Sequence, residues 1–127
     1  MGKEVLSVFG KDYPTRDGTC VRDYIHVSDL VDAHLRALDY LLAGNESAVF
    51  NLGTEKGTTV LELIKTAEKA WGKNIPYKVV DRRAGDCEVL VADSTKAKQI
   101  LGWQSKHNLE EILADAWEWH QNLENKI

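Results

Sequence analysis

Short apolar runs alternate along this chain with amphipathic segments of helical period, and nearly every switch between them is marked by a capping residue or a glycine. That alternation restricts the chain to α/β architectures, because periods of two and of 3.6 residues belong to different elements. Residues 5–9 form an apolar run that stops at Gly10 and reads as a strand. A turn-rich stretch with Pro14 and Gly18 follows, and residues 21–27 alternate enough to predict a second strand. Ser28, with Asp29 and Asp32 just behind it, suits a helix N-terminus. Leu30, Ala33, His34, Ala37, Leu38, Leu41 and Leu42 then keep helical spacing until Gly44. Residues 48–52 predict a third strand. Thr59 and Glu62 have the spacing of a capping box, and Val60, Leu63, Ile64, Ala67 and Trp71 supply the stripe of a helix closed by Gly72. Residues 77–80 and 88–92 predict further strands on either side of a loop at 82–86. Asp93 is placed to cap a helix ending at Leu101, before Gly102. Asn108 and Glu111 are placed to cap a last helix with Leu109, Ile112, Leu113, Ala116 and Trp117 facing inward.

With 127 residues the chain is expected to form a single domain, residues 1–127, built as a small mixed sheet with flanking helices. The net charge of −4, with 16 Lys and Arg scattered along the chain, argues against a nucleic-acid partner. No apolar run is long enough to predict a membrane span, and the first residues lack the pattern of a signal peptide, so a cytoplasmic location is expected. Cys20 and Cys87 stand 67 positions apart and read as free thiols, and the four histidines lack ligand spacing, so no metal site is expected.

Catalysis would need a nucleophile with its base, a poised acid–base pair or a cofactor loop, and none of these has a sequence signature here. There is no G-x-S-x-G, no P-loop and no G-x-G-x-x-G after the first strand. Gly53 to Gly57 comes nearest, but it reads as a strand-to-helix turn in which Glu55 would present a carboxylate to any phosphate. No catalytic residue is assigned. Arg22 follows a turn, and Arg82 and Arg83 precede Ala84, Gly85 and Asp86 in a loop. A guanidinium matches the geometry of phosphate, and a loop aspartate can accept bonds from sugar hydroxyls. Spacing alone favours solvated charges or ion pairs with Asp23 or Asp86, with phosphate binding as the alternative.

The stretch VFGKDYPTRDGTCVRDYIHV at residues 8–27, with Asp29 and Leu30 after it, resembles UDP-glucose 4-epimerases of the extended short-chain dehydrogenase/reductase group. So do Phe50-Asn51-Leu52-Gly53, Arg82-Arg83-Ala84-Gly85-Asp86, and Ala92-Asp93 through Lys96-Ala97 to Leu101-Gly102-Trp103, in the same order. The resemblance covers nearly the whole chain, but only the C-terminal, substrate-domain part of those enzymes. It implies that the Rossmann half, which carries the NAD loop and a Tyr-x-x-x-Lys base, is missing. The four tyrosines are followed four positions later by Asp17, Ser28, Gly44 and Asp81, never by lysine. The chain alone is therefore expected to bind no cofactor, NAD belonging to the intact family.

The resemblance further implies that Ser7, Val8 and Phe9 line the uridine side of a pocket, that Arg22 and Arg83 hold the diphosphate, and that Asp86 meets a ribose hydroxyl. Tyr24 matches a residue near the substrate. Two positions depart from the family pattern: Leu90 stands where an aromatic is common, and Glu55 where a glycine is common. The implied function is the UDP-sugar-binding part of an enzyme that interconverts UDP-glucose and UDP-galactose in galactose metabolism, binding its ligand weakly and inactive alone. The alternative is a non-catalytic interaction module or truncated remnant that self-associates through the former interdomain face. The implied partners are a UDP-sugar and either the missing N-terminal half or a second copy, and the strands at 5–9 and 48–52 are the expected exposed edges.

Overall fold

The computed structural model describes residues 5–124. In chain order its elements are β1 (Leu6–Phe9), β2 (Val21–Arg22), α1 (Val27–Leu42), β3 (Thr58–Thr59), α2 (Val60–Trp71), β4 (Tyr77–Val80), β5 (Val89–Leu90), α3 (Thr95–Leu101) and α4 (Leu109–Glu124). β1 pairs in parallel with β4, from Leu6 opposite Tyr77 to Phe9 opposite Val80. β2 is the centre of a second sheet, antiparallel to β3 and parallel to β5. The α/β class and the mixed, small-sheet character are as the alternation requires, with two sheets in place of one.

Two packing centres hold these elements. Trp103 is fully buried with Ala33 of α1 and Ala97 of α3, and Ile25, Phe50, Leu52 and Leu101 pack around them. Its indole Nε1 donates to the Asp29 carbonyl at 2.8 Å, so the ring's one polar atom is satisfied. At the other end, Trp71 of α2 stacks on Trp117 of α4 with ring centres 5.0 Å apart, and its Nε1 donates to the Leu113 carbonyl at 2.8 Å. The loop before β2 is hooked onto α2 by Arg16, which bonds the Glu62 carboxylate and the Gly57 carbonyl.

The helix ends are where local chemistry decides most. Thr59 and Glu62 form the reciprocal capping box, and Gly72 closes α2 in the left-handed conformation. Asn108 and Glu111 bond each other's backbone N–H at the start of α4. Of the inward stripe of α4, Ala116 is exposed and the other four positions are half-buried. α1 starts one residue before the expected cap: His26 takes the cap position, its Nδ1 accepting the Ser28 N–H at 3.0 Å, while Ser28 lies exposed in the first turn. With Nδ1 accepting, Nε2 carries the hydrogen and donates to Asp115 Oδ2 at 3.1 Å. α3 has Ser94 at its cap position, and the Asp93 carboxylate takes the Thr95 N–H at 2.9 Å.

Three expected strands are corrected. The run at 21–27 keeps only Val21–Arg22, because Asp23 turns the chain and His26 is buried as a cap. The run at 88–92 keeps only Val89–Leu90. Residues 48–52 form no strand: Phe50 and Leu52 pack on the Trp103 cluster, Phe50 meets Tyr40 edge-on, and Lys96 Nζ bonds the Val49 carbonyl at 2.8 Å. The expected exposed edge there does not exist. On α1, Val27, Val31, Leu35, Leu38 and Leu42 make an exposed apolar stripe, and Leu6, Phe9 and Val49 are exposed too. β1 has one paired neighbour, β4, among the described residues. Both cysteines are free, Cys20 buried and Cys87 exposed. Among the described residues no helix is long and apolar enough to cross a membrane, and no group of side chains is arranged as a metal site.

Two aspartates tie distant segments together. Burial pushes the Asp29 carboxyl up, but the backbone N–H of His107 (3.1 Å), its ring Nδ1 (2.9 Å) and the Lys106 N–H (3.0 Å) outweigh it and hold the group below its ordinary 3.8. Burial likewise raises Asp17, and bonds from the Thr19 and Thr59 hydroxyls and the Thr19 N–H bring it below 3.8. A carboxyl with a depressed folded pKa contributes fully above the unfolded value and loses that contribution as the pH falls through the folded one. The urea midpoint is therefore expected to fall as the pH drops below 3.8. Asp29→Asn should begin about 1–3 kcal/mol less stable near neutrality and show a flatter acid dependence in the same titration.

Candidate functional site

The pleat of β1 sorts its side chains. Val8 is buried at 1% exposure, so Ser7 and Phe9 lie on the opposite face, Ser7 half-buried and Phe9 exposed. The Val8 side chain belongs to the core, and only its backbone is available to a ligand. The parallel pairing with β4 places Phe9 beside Val80, and the Gly10 N–H bonds the Val80 carbonyl at 2.9 Å. Beyond β4 the chain runs into Arg82 and Arg83. Arg82 lies over the Tyr13 ring at 4.1 Å and bonds the Asp12 carboxylate at 2.7 Å, so it braces the loop. Gly10 permits this approach: a Cβ there would stand 2.7 Å from the Tyr13 ring and 2.8 Å from the Arg82 side chain.

Arg83 faces the other way. Its guanidinium lies 5.2 Å from the Phe9 ring centre, and Nη2 donates to Asp86 Oδ1 at 2.9 Å. Arg22 reaches the same carboxylate from β2, with Nη2 3.8 Å from Asp86 Oδ1, while its Nη1 donates to the carbonyls of Val21 (2.8 Å) and Cys87 (2.9 Å). The Arg83 bond holds the Asp86 carboxyl below its usual range against the effect of burial. Phe9, Arg22, Arg83 and Asp86 thus converge from three chain segments, with Ser7 alongside on β1. Two guanidiniums against one carboxylate leave the cluster with an excess positive charge, the sign that a phosphate needs. Leu90 stands opposite Arg22 in the β2–β5 register and is exposed.

Tyr24 is not part of this cluster. It is half-buried in a separate cleft of about 270 Å³ with Thr54, Lys56 and His107, and burial pushes its hydroxyl pKa up. The largest of the described clefts, about 960 Å³, lies elsewhere again, between residues 25–28 at the start of α1 and Trp71, Trp117 and Trp119.

Asp23 and Glu55 carry work that the sequence reading did not assign them. Asp23 does not pair with Arg22. Its carboxylate accepts the Thr54 N–H (2.9 Å) and hydroxyl, the Glu55 N–H (3.1 Å) and the Ala92 N–H (3.4 Å). Gly53 makes room, since a Cβ there would lie 2.4 Å from Asp23 Oδ2. Glu55 holds φ at +61°, a conformation in which glycine is at ease, and this explains the family's preference. Its carboxylate turns to α3, not towards a phosphate: Oε1 accepts from the Ser94 N–H (3.2 Å) and hydroxyl (2.9 Å), and Oε2 pairs with Lys98 Nζ at 2.7 Å. The available signal for a left-handed residue was Glu55 standing where the resembling family commonly has a glycine.

A profile of the GDP-mannose 4,6 dehydratase family matches residues 1–116. The chain belongs to that family. Within it, the UDP-glucose 4-epimerase of Rhizobium leguminosarum bv. trifolii is 52% identical over 118 residues, and that of Bacillus subtilis (strain 168) 52% identical over 122. These matches cover 93% and 96% of this chain but 36% of each relative, so the chain spans just over a third of their length and corresponds to a C-terminal part. The structure of the UDP-glucose-4-epimerase from Stenotrophomonas maltophila with bound NAD and formylated UDP-arabinopyranose superposes with a TM-score of 0.95 at 43% identity, covering 98% of this chain and 37% of that one. The Bifidobacterium longum enzyme in complex with NAD+ and UDP gives 0.89 at 40% identity, with the same coverage.

The loop at Glu55 yields a stability test. Glu55→Ala keeps the left-handed strain and loses the Ser94 bonds, whereas Glu55→Gly loses the bonds and relieves the strain. In urea denaturation Glu55→Ala is expected to be the less stable of the two by about 1 kcal/mol.

Proposed function

We propose that this chain is the nucleotide-sugar-binding part of a UDP-glucose 4-epimerase, holding the UDP moiety of its substrate at Phe9, Arg22, Arg83 and Asp86. The observation that carries this reading is the convergence of two arginines on one aspartate beside an exposed aromatic ring. Ser7 and the β1 backbone extend the same surface. In this reading Arg22 and Arg83 neutralise the diphosphate, Asp86 accepts from a ribose hydroxyl, and Phe9 offers an apolar face to the base. Interconversion of UDP-glucose and UDP-galactose belongs to the longer protein, with NAD held by its other half. The residues here do not fit the dinucleotide: the Thr54 and Glu55 N–H groups of the Gly53–Gly57 loop are already taken by the Asp23 carboxylate. No step of hydride transfer is therefore assigned to this chain.

Calorimetry with UDP tests the reading. Affinity in the high-micromolar range or weaker is expected, falling as salt is raised, and Arg83→Ala should weaken it by about tenfold, the worth of one charge-assisted bond. A chain that ignores millimolar UDP does not have this function.

The exposed stripe of α1 favours a second property, association. Val27, Val31, Leu35, Leu38 and Leu42 are all more than half exposed on one helix, which a single chain in water leaves uncovered at a cost. The natural cover is the remaining length of the relatives, and for the isolated chain a second copy. Light scattering on a sizing column at tens of micromolar is expected to show a dimer, with Leu38→Lys returning it to monomer. A wild-type species of 14.3 kDa at that concentration would rule the association out.

A further inference from the structure

The two arginines of the cluster are held in different ways. Arg22 is anchored: its Nη1 bridges the carbonyls of Val21 and Cys87, and its side chain is 24% exposed. Arg83 is held only from its tip. Its side chain is 63% exposed, one nitrogen bonds Asp86, and its guanidinium plane stands over Phe9. In this position Arg83 lies over the Phe9 ring and takes Oδ1 of the Asp86 carboxylate, both of them groups that a nucleoside would use.

We infer that Arg83 is a latch on the nucleoside subsite, closed by its contacts with Asp86 and Phe9 and opened by a phosphate ligand. The inference rests on the nucleotide reading above and adds an order of events and a source of selectivity to it. Arg83 is 63% exposed and Asp86 15%, so the pair is screened by solvent from the guanidinium side, and a diphosphate carrying two or three charges outcompetes one carboxylate for that guanidinium. A neutral nucleoside has nothing to offer Arg83 and must displace it without recompense. When Arg83 leaves, Arg22 stays within 3.8 Å of Asp86, so the carboxylate remains ionised and free to accept from a hydroxyl. The site thus discriminates nucleoside diphosphates from nucleosides by more than the phosphate contacts themselves supply.

The test is calorimetry of uridine, UDP and inorganic pyrophosphate against the wild-type chain, Arg83→Ala and Arg82→Ala. Arg83 is an exposed side chain, so its removal leaves the fold intact. Arg83→Ala should weaken UDP and pyrophosphate about tenfold and, with the opposite sign, tighten uridine about two- to fivefold. Arg82→Ala removes the same charge nearby but no latch, and should bring no gain for uridine. If UDP binds the wild type while uridine is unchanged, weakened or undetectable in both proteins, the latch is wrong and the nucleotide reading stands. If uridine gains equally in Arg82→Ala, the effect is one of net charge and the latch is wrong. If UDP binds no variant, the nucleotide reading fails and the latch with it.

Discussion

The Asp23 carboxylate is the interaction on which the rest of the arrangement depends. β2 and β5 are two residues each, too short for their own ladder to hold them. Asp23, directly after β2, collects N–H groups from residues 54, 55 and 92 and so binds the end of β2 to the loop before β3 and to the segment after β5. A hydrogen bond to a charged acceptor is worth about 1.5–3 kcal/mol, so several donors on one carboxylate can replace a strand's length of ladder. The consequence reaches the candidate site at once. With β5 fixed beside β2, the loop at 86–87 lies against Arg22, which finds the Cys87 carbonyl and the Asp86 carboxylate together.

Asp17 and Asp29 act in the same manner on either side. Asp17 joins Thr19 to the first residues of α2 through Thr59, and Asp29 takes the N–H groups that lead into α4. The short strands and two small packing centres leave much of the tertiary organisation to carboxylates that accept backbone donors. These bonds are directional where apolar burial is not, which fixes how far apart the segments stand.

The helices were legible in the sequence because their ends carry side chains that act locally: Thr59 with Glu62, Asn108 with Glu111, Gly72 and Gly102. The misjudged elements are those decided by distant partners. Residues 48–52 have the apolar composition of a strand, yet among the described residues no strand pairs with them, and Phe50 and Leu52 serve the Trp103 cluster instead. His26 is a poor cap by propensity, and it caps α1 because Asp115, far along the chain, fixes its ring through the other nitrogen. At the candidate site, Arg22, Arg83, Asp86 and Phe9 were identifiable through the family resemblance, and the geometry brings them together. The burial of Val8 follows from the alternation of β1 once one knows which face is inward, which sequence alone does not say. Tyr24 lies two positions after Arg22 in sequence and in a different cleft in space, the ordinary result of a chain turning at Asp23.

The pairing of β1 with β4 has a meaning for folding as well as for recognition. Phe9 and Arg83 meet because two parallel strands are aligned to the residue, and a slip of one position would turn Phe9 inward and Val8 out. Four paired residues on a two-stranded ribbon make few ladder bonds, so the burial of Val8 does most to hold that alignment. A molecule that spans Phe9 and Arg83 engages only the correctly aligned pair, and by mass action it removes misaligned states from the population. The ligand of such a surface serves as a template for the strand pairing that creates it.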